Sequence, residues 1–292
     1  MNKLNPQNQL FLKLEKNKPK WWNNLISNKD IYIDIRKDNY IDIYYNGGNI
    51  IQGLKYKNGK FTGSIHYKYL LPEKSEYINF DFSESIVGLK KNGIDLSLVD
   101  DFEPKSLKRI KANISTYYPV SSEKGIQAKL ATTGQCFLDT EFQYNHKVDN
   151  GLRVDLVWID NSNKKIVFIE LKTMGDSRLF TDEIYNQLKK YNEFVDANEE
   201  KLLKYYFKVF EIKKKLQILP KGLTILESLD GYSIETKPLL VVGDSKQEWI
   251  NAKAEGINER IKDIAIGAYY FGSSVNRNCD ILQKTRGNKY IF

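Results

Sequence analysis

Strand-like and helical patterns alternate along the second half of the chain, and this alternation restricts the fold. Apolar runs typical of strands cover residues 136–144, 152–159, 166–172 and 238–242. Amphipathic segments of helical period cover residues 182–197, 199–219 and 246–264. Strands that alternate with helices predict an α/β fold, in which a mixed β-sheet is flanked by helices.

The first part of the chain has a different pattern. Apolar and polar residues alternate with period two from Ile31 to Leu71, and turn-forming clusters interrupt the alternation at residues 46–49 and 58–59. This pattern is typical of antiparallel strands joined by short turns. We therefore predict a β-rich N-terminal domain that binds substrate or a partner.

The two patterns meet in a stretch with little periodicity. Residues 100–104 break the pattern in the way a linker does, and we place a domain boundary near residue 110. The prediction is a β-rich domain over residues 1–110 and an α/β domain over residues 111–292.

The charge of the chain suits a polyanionic partner such as nucleic acid. The net charge is +8 and the isoelectric point is near 9.1. Lys, Asn, Ile and Tyr are abundant throughout, as in proteins from AT-rich genomes, so charge alone leaves the partner open. No run approaches the ~20 apolar residues of a membrane span, and the first 20 residues are polar. We expect a cytoplasmic protein without a membrane partner.

Histidine and cysteine are too scarce for several kinds of active site. The chain has two histidines and two cysteines. These numbers disfavour a histidine-metal nuclease, a Ser-His-Asp triad and a four-ligand zinc site. The scarcity favours chemistry based on carboxylates and lysine.

The pattern Glu-x-Lys occurs five times, and the sequence around each occurrence distinguishes one from another. They begin at Glu103, Glu170, Glu199, Glu211 and Glu235. Glu170 and Lys172 end an apolar run, so in a strand both side chains project from one face. The pair at Glu235 is the competitor, but no acidic strand lies just upstream and a proline follows at once.

The strand predicted upstream of Glu170 carries one acid, Asp155, among apolar neighbours. The polar stretch at residues 160–165 would turn this strand back as a hairpin beside Glu170. Asp155 and Glu170 could then form an oxygen-rich site for Mg²⁺ or Mn²⁺. Lys172 would orient a metal-activated water and offset charge on phosphorus. The alternative is a buried ion-pair cluster without catalysis.

A fourth element lies on the helix predicted from Asp182. Gln187 falls on the same face as the apolar residues Ile184, Leu188 and Tyr191. A glutamine on a buried face needs a hydrogen-bond partner, which the strand bearing Glu170 could supply.

Taken in order, Gly151-x-x-x-Asp155, Glu170-x-Lys172 and Gln187-x-x-x-Tyr191 resemble the signature of PD-(D/E)XK nucleases, in particular the RecB-like branch. The resemblance covers residues 136–197 and implies a restriction-endonuclease-like core. It implies that Asp155 and Glu170 bind metal, that Lys172 is the catalytic base or stabilises the transition state, and that Gln187 and Tyr191 support the site or touch DNA.

Many members of this family carry a further acid in the element before the Asp strand. Glu141 is our prediction for this metal ligand, with Asp139 two residues away as the alternative. A solvent-facing strand carboxylate is the competing interpretation of Glu141.

A lysine-rich segment follows the helix of Gln187. Residues 201–221 contain seven lysines against one acid, and Tyr205, Tyr206 and Phe207 interleave with them. Such a helix could line a nucleic-acid groove, and the residues predicted to contact nucleic acid are Tyr191, Lys204, Lys208, Lys213 and Lys214. A solvated lysine face of an amphipathic helix is the alternative.

These patterns predict a Mg²⁺- or Mn²⁺-dependent nuclease acting on DNA, in a setting such as restriction or phage defence. The catalytic residues would be Asp155, Glu170, Lys172 and Gln187. A homodimer, or a partner protein bound through the N-terminal domain, would suit this role. The rival hypothesis is a catalytically inactive nucleic-acid-binding or scaffolding module with the same fold.

Overall fold

The structure is a computed structural model that describes residues 3–70, 77–82, 90–91, 94–95, 100–133, 136–144, 152–270 and 272. The chain divides into two compact units. The first combines Met1–Val120 with Glu211–Ile218, and the second combines Ser121–Phe210 with Leu219–Phe292. The functional division at residue 110 stays a prediction.

The first unit contains an antiparallel sheet in simple sequential order. Two short helices precede it, α1 (Gln9–Asn17) and α2 (Lys20–Ile26). The strands, in order, are β1 (Ile31–Arg36), β2 (Tyr40–Tyr45), β3 (Gly48–Lys57), β4 (Lys60–His66) and β5 (Tyr77–Phe82). A two-residue pair, β6 (Lys90–Lys91) and β7 (Ile94–Asp95), follows. The predicted N-terminal antiparallel sheet is confirmed; Leu71 lies outside the described residues.

Asparagine and glycine make the tight turns of this sheet. The pairs Asn46–Gly47 and Asn58–Gly59 all have positive φ, between 45° and 86°, which is the geometry of the turn that matches the twist of a hairpin. Gly48 is needed for a different reason, because a Cβ there would lie 2.7 Å from the side chain of Ile114. The start of β3 therefore packs directly against a helix.

That helix is α3 (Pro104–Tyr117), which the sequence did not reveal. Pro104 occupies the first turn, where a missing amide hydrogen costs nothing. Leu107, Ile110 and Ile114 are buried at helical spacing. Residues 100–104, interpreted as a linker, instead form a short 3₁₀ turn and the start of this helix.

The second unit is built on a mixed sheet with the order β13-β12-β10-β9-β8. Its elements are α4 (Glu123–Thr133), β8 (Phe137–Tyr144), β9 (Leu152–Asp160), β10 (Lys165–Thr173), α5 (Asp182–Lys215), β11 (Ser233–Ile234), β12 (Leu239–Gly243), α6 (Gln247–Ile261) and β13 (Gly267–Tyr270). β8, β9 and β10 are antiparallel, β10, β12 and β13 are parallel, and β11 pairs with β10. The predicted α/β fold with a mixed sheet flanked by helices is confirmed.

One face of this sheet packs against the start of α5 and against α6. Leu240 and Val242 of β12 share a buried cluster with Leu188 of α5 and with Ile257 of α6. In the parallel register Glu170 lies beside Leu240, and Lys172 beside Val242. Since neighbours in register project from the same face, Glu170 and Lys172 face α5.

Helix α5 is a single helix of 34 residues. We predicted two helices, with a break near residue 198, and that prediction is wrong. Residues 197–199 contain neither glycine nor proline to interrupt the helix. The side-chain amide of Asn198 donates to the carbonyl of Phe194 one turn earlier at 2.9 Å, so this polar residue is accommodated within the helix. Among the described residues, no helix combines the length and apolar character needed to cross a bilayer.

Candidate active site

Asp155 and Glu170 meet where the pairing of β9 with β10 stops. The last paired residues are Leu156 and Ile169. One step further, the carboxylate Oδ2 of Asp155 accepts the backbone N–H of Leu171 at 2.9 Å. The side chain thus replaces a ladder hydrogen bond, which fixes Asp155 beside Glu170 as the hairpin prediction required.

Glu170 is held by side chains on two elements. Its Oε1 accepts from Gln187 Nε2 at 2.5 Å and also contacts the ammonium of Lys172. Its Oε2 lies 2.6 Å from the hydroxyl of Tyr191. That hydroxyl also contacts the carbonyl of Arg153. The structure therefore brings Glu170, Lys172, Gln187 and Tyr191 together around one carboxylate.

Burial dominates the acid-base behaviour of Glu170. The side chain is 1% exposed, and burial together with the nearby charge of Asp155 raises its pKa to about 8, although Lys172 and Tyr191 oppose the rise. Burial, followed by the charge of Glu170, likewise raises the pKa of Tyr191. The site thus contains two carboxylates that repel each other in a poorly solvated place.

A pocket of about 230 Å³ opens beside this cluster. Asp155 and Lys172 line it, together with Gln187, Tyr191, Glu123, Leu152, Arg153, Arg178 and Lys190. Glu170 does not line the pocket itself, but it contacts three residues that do. The site therefore has an opening through which a phosphate group could approach Asp155 and Lys172.

Glu123 is the site residue that sequence reasoning missed. It begins α4 directly after Ser122, whose side chain accepts the N–H of Gly125 at 3.1 Å and caps the helix. Burial and the charge of Asp155 raise the pKa of Glu123, whereas Lys172 and Arg178 lower it. A capping serine followed by a glutamate was a usable signal, but α4 is weakly amphipathic and was not recognised as a helix.

The predicted third acid, Glu141, does not line the pocket. Its carboxylate pairs with Lys124 of α4, and its backbone has φ of 51°, which interrupts the strand alternation assumed for β8. The alternative, Asp139, is buried, and its carboxylate accepts the N–H of Thr140 at 3.0 Å. Glu123, and not Glu141, is therefore the further acid that lines the pocket beside Asp155.

Tyr191 is placed differently from its prediction as a nucleic-acid contact. It is 1% exposed and its hydroxyl is engaged by Glu170 and by a main-chain carbonyl. The structure therefore places Tyr191 against Glu170, and a contact with nucleic acid stays a prediction. Gly151, the first residue of the motif, lies outside the described residues.

The four lysines predicted to contact nucleic acid occupy different environments on α5. Lys204 is exposed and pairs with an acid one turn away. Lys208 and Lys214 are half-buried. Lys213 is 4% exposed, and its ammonium lies 3.2 Å from Asp34 of β1. Lys213 is thus a buried ion-pair partner, and we leave it out of the proposed contact surface.

The donor set fits an oxygen-preferring divalent cation in its chemistry. Asp155 and Glu123 line the pocket with carboxylates. Burial, and after it the charge of Asp155, raises the pKa of Glu170 and of Glu123, and a cation would relieve the repulsion between these acids. Within the described part of the chain, no three His, Cys, Asp or Glu residues already converge as a preformed metal site. Binding a cation would therefore require these side chains to draw together.

Cationic side chains complete the rim of the pocket. Arg178 is fixed by Asp176, whose carboxylate accepts from Nε of Arg178 at 2.9 Å and 3.1 Å and raises the pKa of the guanidinium. Arg153 lies 3.8 Å from Asp155, and Lys190 is exposed one turn of α5 from Gln187. Arginine and lysine beside carboxylates suit a phosphodiester that must be held next to a metal site.

The comparisons with known proteins agree with this geometry. The family model described as the PD-(D/E)XK nuclease superfamily matches residues 94–267, which is more than half of the 292 residues. Members of this superfamily are usually nucleases and generally use divalent metals. No curated protein and no solved structure gives a significant match. The match covers β9, β10 and α5, and the chain belongs to the PD-(D/E)XK nuclease superfamily.

Proposed function

We propose that the protein is a nuclease that hydrolyses phosphodiester bonds of DNA with Mg²⁺ or Mn²⁺. The observation that carries the proposal is the pocket in which Asp155 and Glu123 face the same opening as Lys172. A purely structural ion-pair cluster does not require an opening to solvent. It also does not require the cationic side chains that line this pocket, Arg153, Arg178 and Lys190. This arrangement supports phosphoryl chemistry at the mouth of the pocket.

Each side chain has a distinct role in the proposed reaction. Asp155, Glu123 and Glu170 would hold the divalent cation, which supplies the charge that polarises the phosphodiester and activates water. Lys172 would orient the attacking water and offset negative charge developing on the phosphate. Arg153, Arg178 and Lys190 would hold the phosphate oxygens of the substrate. Lys204, Lys208 and Lys214 remain proposed contacts to the DNA backbone.

Gln187 and Tyr191 support assignment to the RecB-like branch, which we include in the proposal. Both lie on α5, four residues apart, and both contact Glu170. Residues four apart share one face of a helix, so a single helix can hold both oxygens of the carboxylate. Gln187 would act with Asp155, Glu170 and Lys172 in catalysis by positioning Glu170.

The biological setting we propose is restriction or phage defence in the cytoplasm. The β-rich region at residues 1–110 would then bind substrate or a partner, and residues 111–292 would carry the nuclease. Homodimerisation stays a prediction from the sequence.

The test is cleavage of supercoiled plasmid and of labelled oligonucleotides with Mg²⁺ or Mn²⁺. Glu170→Gln and Lys172→Ala should each lower the cleavage rate by at least about a hundredfold, since the first removes a proposed cation ligand and the second removes the ammonium group beside the phosphate. The matched controls are Glu235→Gln and Lys237→Ala. These change the same Glu-x-Lys pattern away from the pocket, and they should cleave like wild type.

The rival is a binding module without catalysis, and one observation favours it. Both oxygens of Glu170 are engaged by protein groups, as in a purely structural cluster. In that case neither wild type nor any variant would cleave DNA with either metal, although all of them would bind it equally. That result would refute the nuclease proposal.

A further inference from the structure

One described feature without a role in the proposed reaction is a cavity in the first unit. Its volume is about 570 Å³, and we call it the N-terminal cavity. It is lined by α3, by α2 and the residues that follow it, and by Tyr45 at the end of β2. A volume of several hundred Å³ is the size of a site for a small organic ligand.

The cavity has an apolar floor. Phe102 and Leu107 line it and are 1% and 3% exposed. Phe102 and its neighbour Asp101 both have positive φ, 54° and 48°, and non-glycine residues rarely adopt this conformation. The carbonyl of Asp101 accepts the side-chain amide of Asn24 at 2.9 Å. An apolar floor beside an oriented amide suits a flat ring that also forms hydrogen bonds.

Two lysines one turn apart on α3 give the cavity its charge. Lys111 is largely buried, and its ammonium contacts Asn28 at 2.5 Å and lies 4.9 Å from the ring centre of Tyr45. Lys108 is exposed, and within the described ranges it has no ion-pair partner. Lys111 also lies 3.3 Å from Asp30, which leaves Lys108 as the uncompensated charge.

Most of the remaining lining residues carry hydrogen-bonding side chains, and Pro104 and Ala112 are the exceptions. Serine and asparagine side chains line the cavity, and no carboxylate belongs to the described lining. A cavity with ammonium groups and no acid repels cations and attracts anions. The combination of an apolar floor, amide and hydroxyl groups, and lysines at the rim matches a ring that carries a phosphate.

We propose that the N-terminal cavity is a nucleotide-binding site, which takes either a free nucleoside monophosphate or one nucleotide of a single strand. The base fills the cavity against the apolar side of its lining, at Phe102 and Leu107. Asn24 hydrogen-bonds the edge of the base, and Lys108 binds the phosphate. This site is separate from the pocket at Asp155, and the inference does not depend on nuclease activity.

The test is binding to the full chain in EDTA, measured by calorimetry. The probes are deoxyadenosine monophosphate, a 12-nucleotide single strand, and an octaglutamate peptide. Ala112→Trp fills the cavity without changing charge, and Lys108→Glu reverses the charge at its rim. Each should weaken binding of the nucleotide probes by at least about tenfold, because it removes the space or the phosphate contact.

Matched controls lie on the same helix outside the cavity. Thr116→Trp and Lys105→Glu make the same changes at exposed positions of α3 and should bind within about twofold of wild type. Binding of the monophosphate identifies a free nucleotide as sufficient, whereas binding of the strand alone identifies a nucleic acid as the source. Melting curves of all four variants verify that the fold is intact.

Three results would overturn the proposal. One is that both nucleotide probes bind and that Ala112→Trp leaves their affinity unchanged. Another is a loss caused by Arg178→Ala and not by Ala112→Trp, since that places the nucleotide in the pocket at Asp155. The third is equal affinity for the octaglutamate peptide and the nucleotide probes. That result would show that the cavity binds acidic chains in general. None of these measurements involves cleavage, so the outcome is separable from that of the nuclease test.

Discussion

The hydroxyl of Tyr191 on α5 lies 2.6 Å from Oε2 of Glu170 on β10. It also contacts the carbonyl of Arg153, on the strand that carries Asp155. One buried tyrosine therefore joins the two strands that supply the acids to the helix packed on them. Because the ring is buried and its hydroxyl contacts Glu170, we expect Tyr191 to hold Glu170 in position.

Replacing Tyr191 with phenylalanine tests this role. The variant keeps the ring but loses the hydroxyl, and we expect cleavage to slow by about tenfold, equivalent to one hydrogen bond of roughly 1.4 kcal/mol. DNA affinity, measured with EDTA, should not change. Tyr185→Phe, on the same helix away from Glu170, is the control. Loss of affinity equal to the loss of rate would show instead that Tyr191 touches DNA.

The raised pKa of Glu170 predicts a pH-dependent stability of the metal-free protein. The folded chain retains this proton up to about pH 8, whereas the unfolded chain releases it near the ordinary value of 4.5. The folded state therefore binds more protons between these values, and its stability falls as the pH rises through this range. Melting temperatures in EDTA should decline from pH 5 to pH 9, and less steeply for Glu170→Gln. Parallel curves would contradict a raised pKa.

Metal binding at Asp155 should appear as a shift in melting temperature. Mn²⁺ at a hundredfold excess over its dissociation constant stabilises a protein by about 2.7 kcal/mol if it binds only the folded state. We expect such a shift for wild type and a much smaller one for Asp155→Asn. Asp160→Asn is the control, since Asp160 lies at the far end of β9, where it accepts N–H groups of the following turn. Equal shifts in wild type and Asp155→Asn would exclude Asp155 as a ligand.

The buried position of Lys213 predicts an effect on stability and not on cleavage. It is buried against Asp34, which also lies 3.3 Å from Arg36. Lys213→Ala leaves part of a buried charge uncompensated and should lower the free energy of unfolding by about 3 kcal/mol. Lys215→Ala removes an exposed lysine of the same helix and should cost less than about 0.5 kcal/mol. Urea unfolding of both variants measures the difference, and similar values would mean that the Asp34 pair contributes little.

The sequence revealed those parts of the fold and site that depend on strand periodicity. Asp155, Glu170 and Lys172 were recognisable because each interrupts or ends an apolar run that had to be a strand. Glu123 was not, because its helix is only weakly amphipathic and its role depends on a sheet distant in sequence. The position of Glu141 could not be predicted from strand periodicity, because its own φ is positive and interrupts the alternation of β8.

Lys213 shows a second limit of reading a sequence locally. It lies in a lysine-rich, aromatic-rich stretch that suggested a nucleic-acid surface, yet its partner is Asp34, 179 residues earlier. No local pattern records such a pairing. The full length of α5 is also not evident from the local sequence. A polar stretch at the middle of this helix resembles a boundary between two helices.

The division of α5 between the two units has a consequence for biosynthesis. Residues 211–218 belong to the first unit, although the rest of that unit ends at Val120. During translation the first 120 residues leave the ribosome long before the segment that supplies Lys213 exists. Asp34 can therefore form its ion pair with Lys213 only after some 90 further residues have been added. Until then Arg36 is its nearby cation. The first unit cannot complete its own interior before residues 121–210 of the second unit have been synthesised.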